Sequence, residues 1–200
     1  MSKKSFIFKW NQYSRKKRWW SIIFDFILLA FIIIMLIPAA RKNFSVFVIR
    51  KTLLAPREYN KTIILSEEEL NMVLTDKSGE NKTLTDFMDK PLLINFWSSW
   101  CYPCIAELPS FQKLYDKYKD KIHFIFIVNE PIDEINDFLE KKHYTLPCFN
   151  SNGTVSGMFE NGIIPTTYLI YNEHIIVYKT GAARWDSGKF MKLLDKLVTN

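Results

Sequence analysis

Pro91-Leu92-Leu93-Ile94-Asn95-Phe96-Trp97-Ser98-Ser99-Trp100-Cys101-Tyr102-Pro103-Cys104 is the most informative stretch of this chain. Its first half is an apolar run of strand length, and Ser98-Ser99 reads as a turn. From Ile105 to Tyr118 apolar residues recur at helical spacing, so the cysteines open a helix. The first turn of a helix carries unpaired N–H groups and a partial positive charge, and both favour a thiolate over a thiol. Cys-x-x-Cys spacing lets the second sulfur reach the first across one turn, so the pair can close and reopen a disulfide. Pro103 suits that first turn, where a missing N–H costs nothing. Zinc sites and structural disulfides use the same spacing. The flanks discriminate, because zinc knuckles sit in turns rather than between an apolar strand and an amphipathic helix.

Asn95-Phe96-Trp97-Ser98-Ser99-Trp100-Cys101-Tyr102-Pro103-Cys104-Ile105-Ala106-Glu107-Leu108-Pro109 resembles the active-site segment of thioredoxin-fold proteins. Within that fold it is most similar to the membrane-anchored TlpA/ResA-like thiol–disulfide oxidoreductases. The resemblance implies an α/β thioredoxin-like fold, a central mixed sheet flanked by helices with an inserted strand–helix unit. It implies that Cys101 is the nucleophile and Cys104 the resolving cysteine of a redox-active disulfide. Glu107 matches the family's active-site acid. Pro165, in Ile163-Ile164-Pro165-Thr166-Thr167, matches a cis proline that faces the two cysteines and leaves the Ile164 backbone free to pair with an extended substrate. Trp100, Tyr102, Pro103 and Ile164 are the residues expected against that substrate. Asn95 departs from plain thioredoxins, which carry an aspartate there, and agrees with the TlpA/ResA-like branch.

Some of these residues can be read without the resemblance. Cys104, Leu108, Phe111, Tyr115 and Tyr118 share one helix face, which Glu107 borders. A carboxyl placed there is poorly hydrated, so its pKa should rise and it could exchange a proton with Cys104; the alternative is a solvated surface glutamate. Asn95 reads as a hydrogen-bonded core amide, and Pro109 as a kink one turn into the helix. Helix position makes Cys101 the exposed, low-pKa thiol and leaves Cys104 more shielded. Cys148, the odd third cysteine, reads as a small buried hydrophobe.

The net charge of +6 is unevenly spread. Residues 1–57 hold twelve Lys/Arg and one acid, Asp25, whereas the remainder carries a net charge of −5. The basic balance belongs to the N-terminal segment, and a nucleic-acid-binding domain finds no support. Ile22 to Ile37 is apolar at every position except Asp25, long enough with its flanks to cross about 30 Å of hydrocarbon. Trp19 and Trp20 are interfacial anchors, and the Lys/Arg cluster before them keeps the N-terminus cytoplasmic. Arg41, Lys42, Arg50, Lys51 and Arg57 run against that bias on the far side. The Ile-Pro-Ala-Ala end is a poor cleavage site, so an uncleaved anchor is expected. The organisation expected is a basic tail over 1–18, a transmembrane anchor over 19–40, a juxtamembrane segment and tether over 41–68, and the thioredoxin-like domain over 69–200.

Within that domain the pattern predicts a strand over Glu69–Thr75, a short helix over Thr83–Met88 and a strand over Ile122–Val128. A helix follows over Pro131–Lys142, then a short strand over Leu146–Phe149 and a helical turn over Val155–Phe159. A hairpin turning at Asn172-Glu173 and a closing helix over Ser187–Val198 complete it. The function expected is a membrane-tethered, extracytoplasmic or periplasmic thiol–disulfide oxidoreductase, reducing protein disulfides through Cys101 and Cys104. Its partners would be a disulfide-bearing protein substrate and a membrane dithiol donor. No cofactor is needed, since the dithiol carries two electrons. The sequence does not name the substrate: apocytochrome c (in cytochrome c maturation), a metallochaperone and misfolded proteins are the alternatives. Alternatives are an oxidase or isomerase on the same site, or a metal module built from Cys101, Cys104, His143 and Cys148. Electron flow is expected to be reducing, because the Tyr102-Pro103 dipeptide brings no cation to stabilise a thiolate.

Overall fold

The computed structural model describes residues 19–58, 63–153 and 155–199, so the basic tail expected over 1–18 lies outside the described residues. The chain divides into one unit ending at Ser45 and another beginning at Val46. In the first, helix α1 (Trp19–Leu36) has 18 residues, a mean hydropathy of 2.5 and no buried side chain. Its length of about 27 Å suits a membrane span. Helix α2 (Pro38–Thr52) follows and continues into the second unit. The apolar helix therefore ends at Leu36, ahead of the expected 40, because Pro38 opens a new helix.

The second unit is built on a seven-stranded sheet. In chain order come helix α3 (Glu67–Leu70), β1 (Val73–Thr75), β2 (Asn81–Thr83), a 3₁₀ turn (Leu84–Phe87), β3 (Leu92–Phe96), helix α4 (Tyr102–Tyr118) and β4 (His123–Val128). Helix α5 (Ile132–Lys141), β5 (Cys148–Asn150), a 3₁₀ turn (Gly157–Phe159), β6 (Thr166–Tyr171), β7 (His174–Thr180) and helix α6 (Gly188–Leu197) complete it. The spatial order is β2-β1-β5-β4-β3-β6-β7. β3, β4 and β5 are parallel neighbours, and β6, β7, β1 and β2 are antiparallel to theirs. This is a mixed α/β thioredoxin-like sheet with an inserted strand–helix unit, α5 and β5, between the cysteines and Pro165.

Strand periodicity explains the two cores. Leu93 on β3 and Phe124, Phe126 and Val128 on β4 face one side, where α4 adds Leu108, Phe111 and Leu114, α5 adds Ile135 and Leu139, and α6 adds Phe190 and Leu194. Leu92, Ile94, Ile125 and Ile127 face the other, covered by Leu65, Met72, Leu74 and Leu84 and by Phe149 and Phe159. A strand buried on both faces needs a nearly continuous apolar run, which β3 has but for Asn95 and β4 has after His123. Asn95 is 1 % exposed and donates through Nδ2 to Thr167 Oγ1 at 2.8 Å, across the β3–β6 ladder. The amide is satisfied inside the core, as a buried polar group must be.

Two local expectations change. The strand predicted over Glu69–Thr75 is shorter, because Ser66-Glu67-Glu68-Glu69 forms a capping box and starts a helix. Ser66 N donates to Glu69 Oε2 at 2.7 Å, and Met158 N to Oε1 at 2.6 Å, which holds this acid in the core. The segment expected as tether contains packed pieces. Ile64 bridges to His174, Ile175 N donates to Ile63 O at 3.0 Å and Leu65 is buried. Three apolar residues are too short to show a period, but they suffice to pair with the exposed start of β7.

Candidate active site

β3 delivers the cysteines. Trp97 N donates to Ile127 O at 3.1 Å, so the chain stays in the sheet until the turn, and Cys101 N donates to Ser98 O at 3.2 Å to close it. Glu130 clamps that turn, accepting from Ser99 N at 3.0 Å and from the Ser99 hydroxyl. Cys101 is the N-cap of α4, and its Sγ accepts from Cys104 N at 3.3 Å. The donor that favours a thiolate at a helix start is therefore aimed at the first sulfur. Tyr102 and Pro103 fill the first turn, half-buried.

Cys101 and Cys104 are joined in a disulfide. Cys101 is 6 % exposed and Cys104 2 %. The exposed first cysteine expected from helix position is therefore not found in this oxidised form: both cysteines are buried in one cluster with Trp97 and the α4 face. Cys148 belongs to the same cluster as a free, buried thiol, with burial pushing its pKa far above the usual range. A thiol so held is a poor nucleophile. The metal alternative lacks its fourth residue, because His143 is exposed and outside the buried cluster that holds the three cysteines. No group of three or more His, Cys, Asp or Glu placed to hold a metal occurs among the described residues.

Glu107 is 1 % exposed, one turn beyond Cys104 on α4. Its Oε1 accepts from Ala183 N at 2.8 Å and from Trp185 Nε1 at 2.6 Å, whereas Oε2 is buried without a partner among the described residues. Burial dominates and lifts its pKa to about 8, against the opposing pull of the Ala183 and Trp185 bonds and of the Lys179 charge. At neutral pH this carboxyl is mostly protonated. The surface-glutamate reading fails.

Trp185 is fully buried, stacked on Phe111 with ring centroids 5.1 Å apart, and its backbone N donates to Ser110 Oγ at 3.3 Å. It and Ala183 lie in the loop before α6, which sequence periodicity leaves unread. Trp185→Phe keeps the aromatic stack but deletes a bond that favours ionised Glu107. The Glu107 titration should move further up by roughly one unit, with little loss of fold. Carboxyl ¹³C shifts followed against pH check this.

The register between β3 and β6 sets the other wall. Phe96 pairs with Thr166, so Pro165 lies at the sheet end where β3 runs into the cysteines. The Ile164–Pro165 bond is cis, and no backbone hydrogen bond of Ile164 is made to the described residues. A cavity of about 470 Å³ opens beside it, with Phe96, Trp97 and Ile127 below and Trp100, Ile163 and Ile164 around the mouth. Trp100 is 65 % exposed and Ile163 52 %, a large apolar surface for a soluble face. Of the residues expected against substrate, Trp100 and Ile164 meet here, while Tyr102 and Pro103 do not line it.

The AhpC/TSA family model matches residues 67–179, more than half of the chain and all of this geometry up to β7. The chain belongs to the AhpC/TSA family. It is 33 % identical over 118 residues to a thiol-disulfide oxidoreductase ResA of Bacillus cereus, covering 58 % of this chain and 68 % of that protein. To the ResA of Halalkalibacterium halodurans it is 33 % identical over 134 residues, 64 % of this chain and 76 % of that protein. Across these curated relatives, the chain spans between 55 % and 76 % of their length. A secreted Mycobacterium tuberculosis disulfide oxidoreductase, homologous to E. coli DsbE, superposes with a TM-score of 0.54 at 19 % identity. That comparison covers 68 % of this chain and 100 % of the other, and shows the fold. The family member described here is thus a membrane-associated thiol–disulfide oxidoreductase with a redox-active disulfide, related to the ResA type.

Proposed function

We propose that this enzyme is a reductase of protein disulfides, tethered by α1 with its N-terminus in the cytoplasm and its redox domain outside. The observation that carries the chemistry is the Glu107 carboxyl, buried one turn beyond Cys104 with Oε2 unpartnered and a pKa of about 8. In the reduced enzyme Cys101 thiolate attacks one sulfur of a substrate disulfide. The substrate S–S bond breaks, its other sulfur leaves as a thiolate, and a mixed disulfide forms at Cys101. Cys104 then loses its proton and attacks Cys101 Sγ, the substrate departs as a dithiol, and two electrons have passed to it. A carboxyl with a pKa near that of a thiol, about 8.5, exchanges protons with it at little cost in free energy. Glu107 can therefore relay the Cys104 proton.

The groove by Trp100 and Ile164 supports a polypeptide substrate: an extended segment can pair with the open Ile164 backbone and seat an apolar side chain in the cavity. The oxidised enzyme is reset by a membrane dithiol donor, which the anchor keeps close. The Lys/Arg excess before Trp19 supports the orientation. Full-length Cys104→Ser protein, expressed in cells, tests both parts, because it stalls at the mixed disulfide. Exported proteins held through Cys101 are the expected catch, and trapped apocytochrome would add a role in cytochrome c maturation. Capture of cytosolic proteins alone would overturn the topology, and no mixed disulfide at all the function.

A further inference from the structure

Between the end of α2 and the active-site helix lies a second cavity, of about 440 Å³, and its rim is cationic. Arg50 and Lys51 come from α2, Lys113 from α4 and Arg184 from the loop before α6, against a single acid, Asp186. Asp186 is already engaged, by Lys113 Nζ at 3.0 Å and Arg184 Nε at 3.3 Å. Burial raises its pKa, but those two cations outweigh it and hold the carboxyl below its ordinary range. Neither Arg50 nor Lys51 forms an ion pair among the described residues. Four positive charges thus share one negative around a concave space. Lys51 Nζ lies over the Phe47 ring, 5.7 Å from its centroid, and a concave cluster of one sign attracts an anion.

The walls say what kind of anion. Phe47 and Leu53 line the same cavity together with Ala106 and Pro109. Phe47 is 58 % exposed, and beside it Val48 is 43 % and Leu54 79 % exposed. A small hydrated ion would answer the charges and leave these apolar groups in water. A headgroup phosphate with glycerol and acyl carbons beneath it would answer both. Chain connectivity agrees: Arg50 follows Leu36, the last residue of the apolar helix, by only fourteen residues. The cations on this side of α1 also run against the charge bias that orients a span, which a headgroup contact accounts for.

The geometry points to a binding site for a phosphate-bearing anion, formed by Arg50, Lys51, Lys113 and Arg184, with an acidic phospholipid headgroup as its source. Arg184 sits between Ala183 and Trp185, both donors to Glu107, so an occupant would rest against the loop that holds the active-site acid.

The test is native mass spectrometry of the full-length protein in neutral detergent, titrated with phosphatidylglycerol, with phosphatidylcholine and with inorganic phosphate. Two double variants accompany it, Arg50→Gln with Lys51→Gln, and Lys113→Gln with Arg184→Gln. The first pair lies on α2, outside both α4 and the loop that holds Glu107, so a folding defect in the second does not end the test. The expected result is one phosphatidylglycerol adduct that phosphatidylcholine does not replace, weakened about thirtyfold in either double variant. Lipid held by the basic tail is common to all forms and cancels. Inorganic phosphate binding as tightly, with the same sensitivity to both variants, would keep the site and assign it a free anion. Adduct patterns identical in wild type and both variants would overturn the proposal.

Discussion

Cys101→Ser is expected to abolish disulfide exchange, with turnover in insulin reduction falling by at least about three orders of magnitude. A serine oxygen cannot form the mixed disulfide, and nothing nearby replaces the lost sulfur. The chain has three cysteines. Of the two that remain, Cys104 is 2 % exposed, and Cys148 is buried with its thiol held protonated. The loss should come without unfolding, since the helix keeps its N-cap; serine is a better N-cap than cysteine. Thermal melts of reduced wild type and variant, neither holding the disulfide, would separate loss of chemistry from loss of fold. Activity persisting in a folded Cys101→Ser protein would remove this residue from the nucleophile's role.

The second large effect is the pH behaviour of Glu107. Its pKa rises from 4.5 to about 8 on folding, with burial as the main cause. A raised pKa means that the folded state holds the proton more tightly than the unfolded chain. The resulting stabilisation is complete below pH 4.5 and is lost as pH climbs through about 8. Roughly 3–5 kcal/mol is at stake over that window, a large share of a domain's stability. Glu107→Gln keeps the shape and cannot ionise, so denaturant midpoints should fall with pH in wild type and stay nearly level in the variant. The variant should be the more stable above pH 8. Its turnover should drop by about a hundredfold, the low end of what general acid–base help contributes, and lose its alkaline dependence. Equal turnover in both proteins would leave Glu107 a structural acid only.

The active-site helix was legible from local signals alone. An apolar run, a serine turn and Cys-x-x-Cys ahead of helical periodicity place both sulfurs without tertiary knowledge. Glu107 was legible as a half-hidden acid because its neighbours on α4 are apolar. Its partners were not. Ala183 and Trp185 lie more than seventy residues away in a loop with no period, and only the packing of Trp185 on Phe111 brings them in. Glu130 escaped for the same reason, since it follows β4 and reaches Ser99 through the parallel pairing of β3 with β4. Over residues 66–75 two local signals compete, strand alternation and a capping box, and the capping box takes Glu67–Leu70 into a helix. The short strand β2, polar at all three positions, owes its form to its pairing with β1.

The direction of electron flow is the centre of the account, and the redox potential tests it most directly. Strong oxidants of this fold stabilise their reduced thiolate, often with a cation between the cysteines. Here the intervening residues are Tyr102 and Pro103, and the nearby Glu107 carboxyl is neutral or negative but never positive. The disulfide should therefore be comparatively stable. Full-length protein equilibrated with glutathione redox buffers, and read by alkylation of Cys101, should give a potential close to thioredoxin's value of about −270 mV. A value near −120 mV, where the oxidant DsbA lies, would contradict the reductase and make this protein a donor of disulfides.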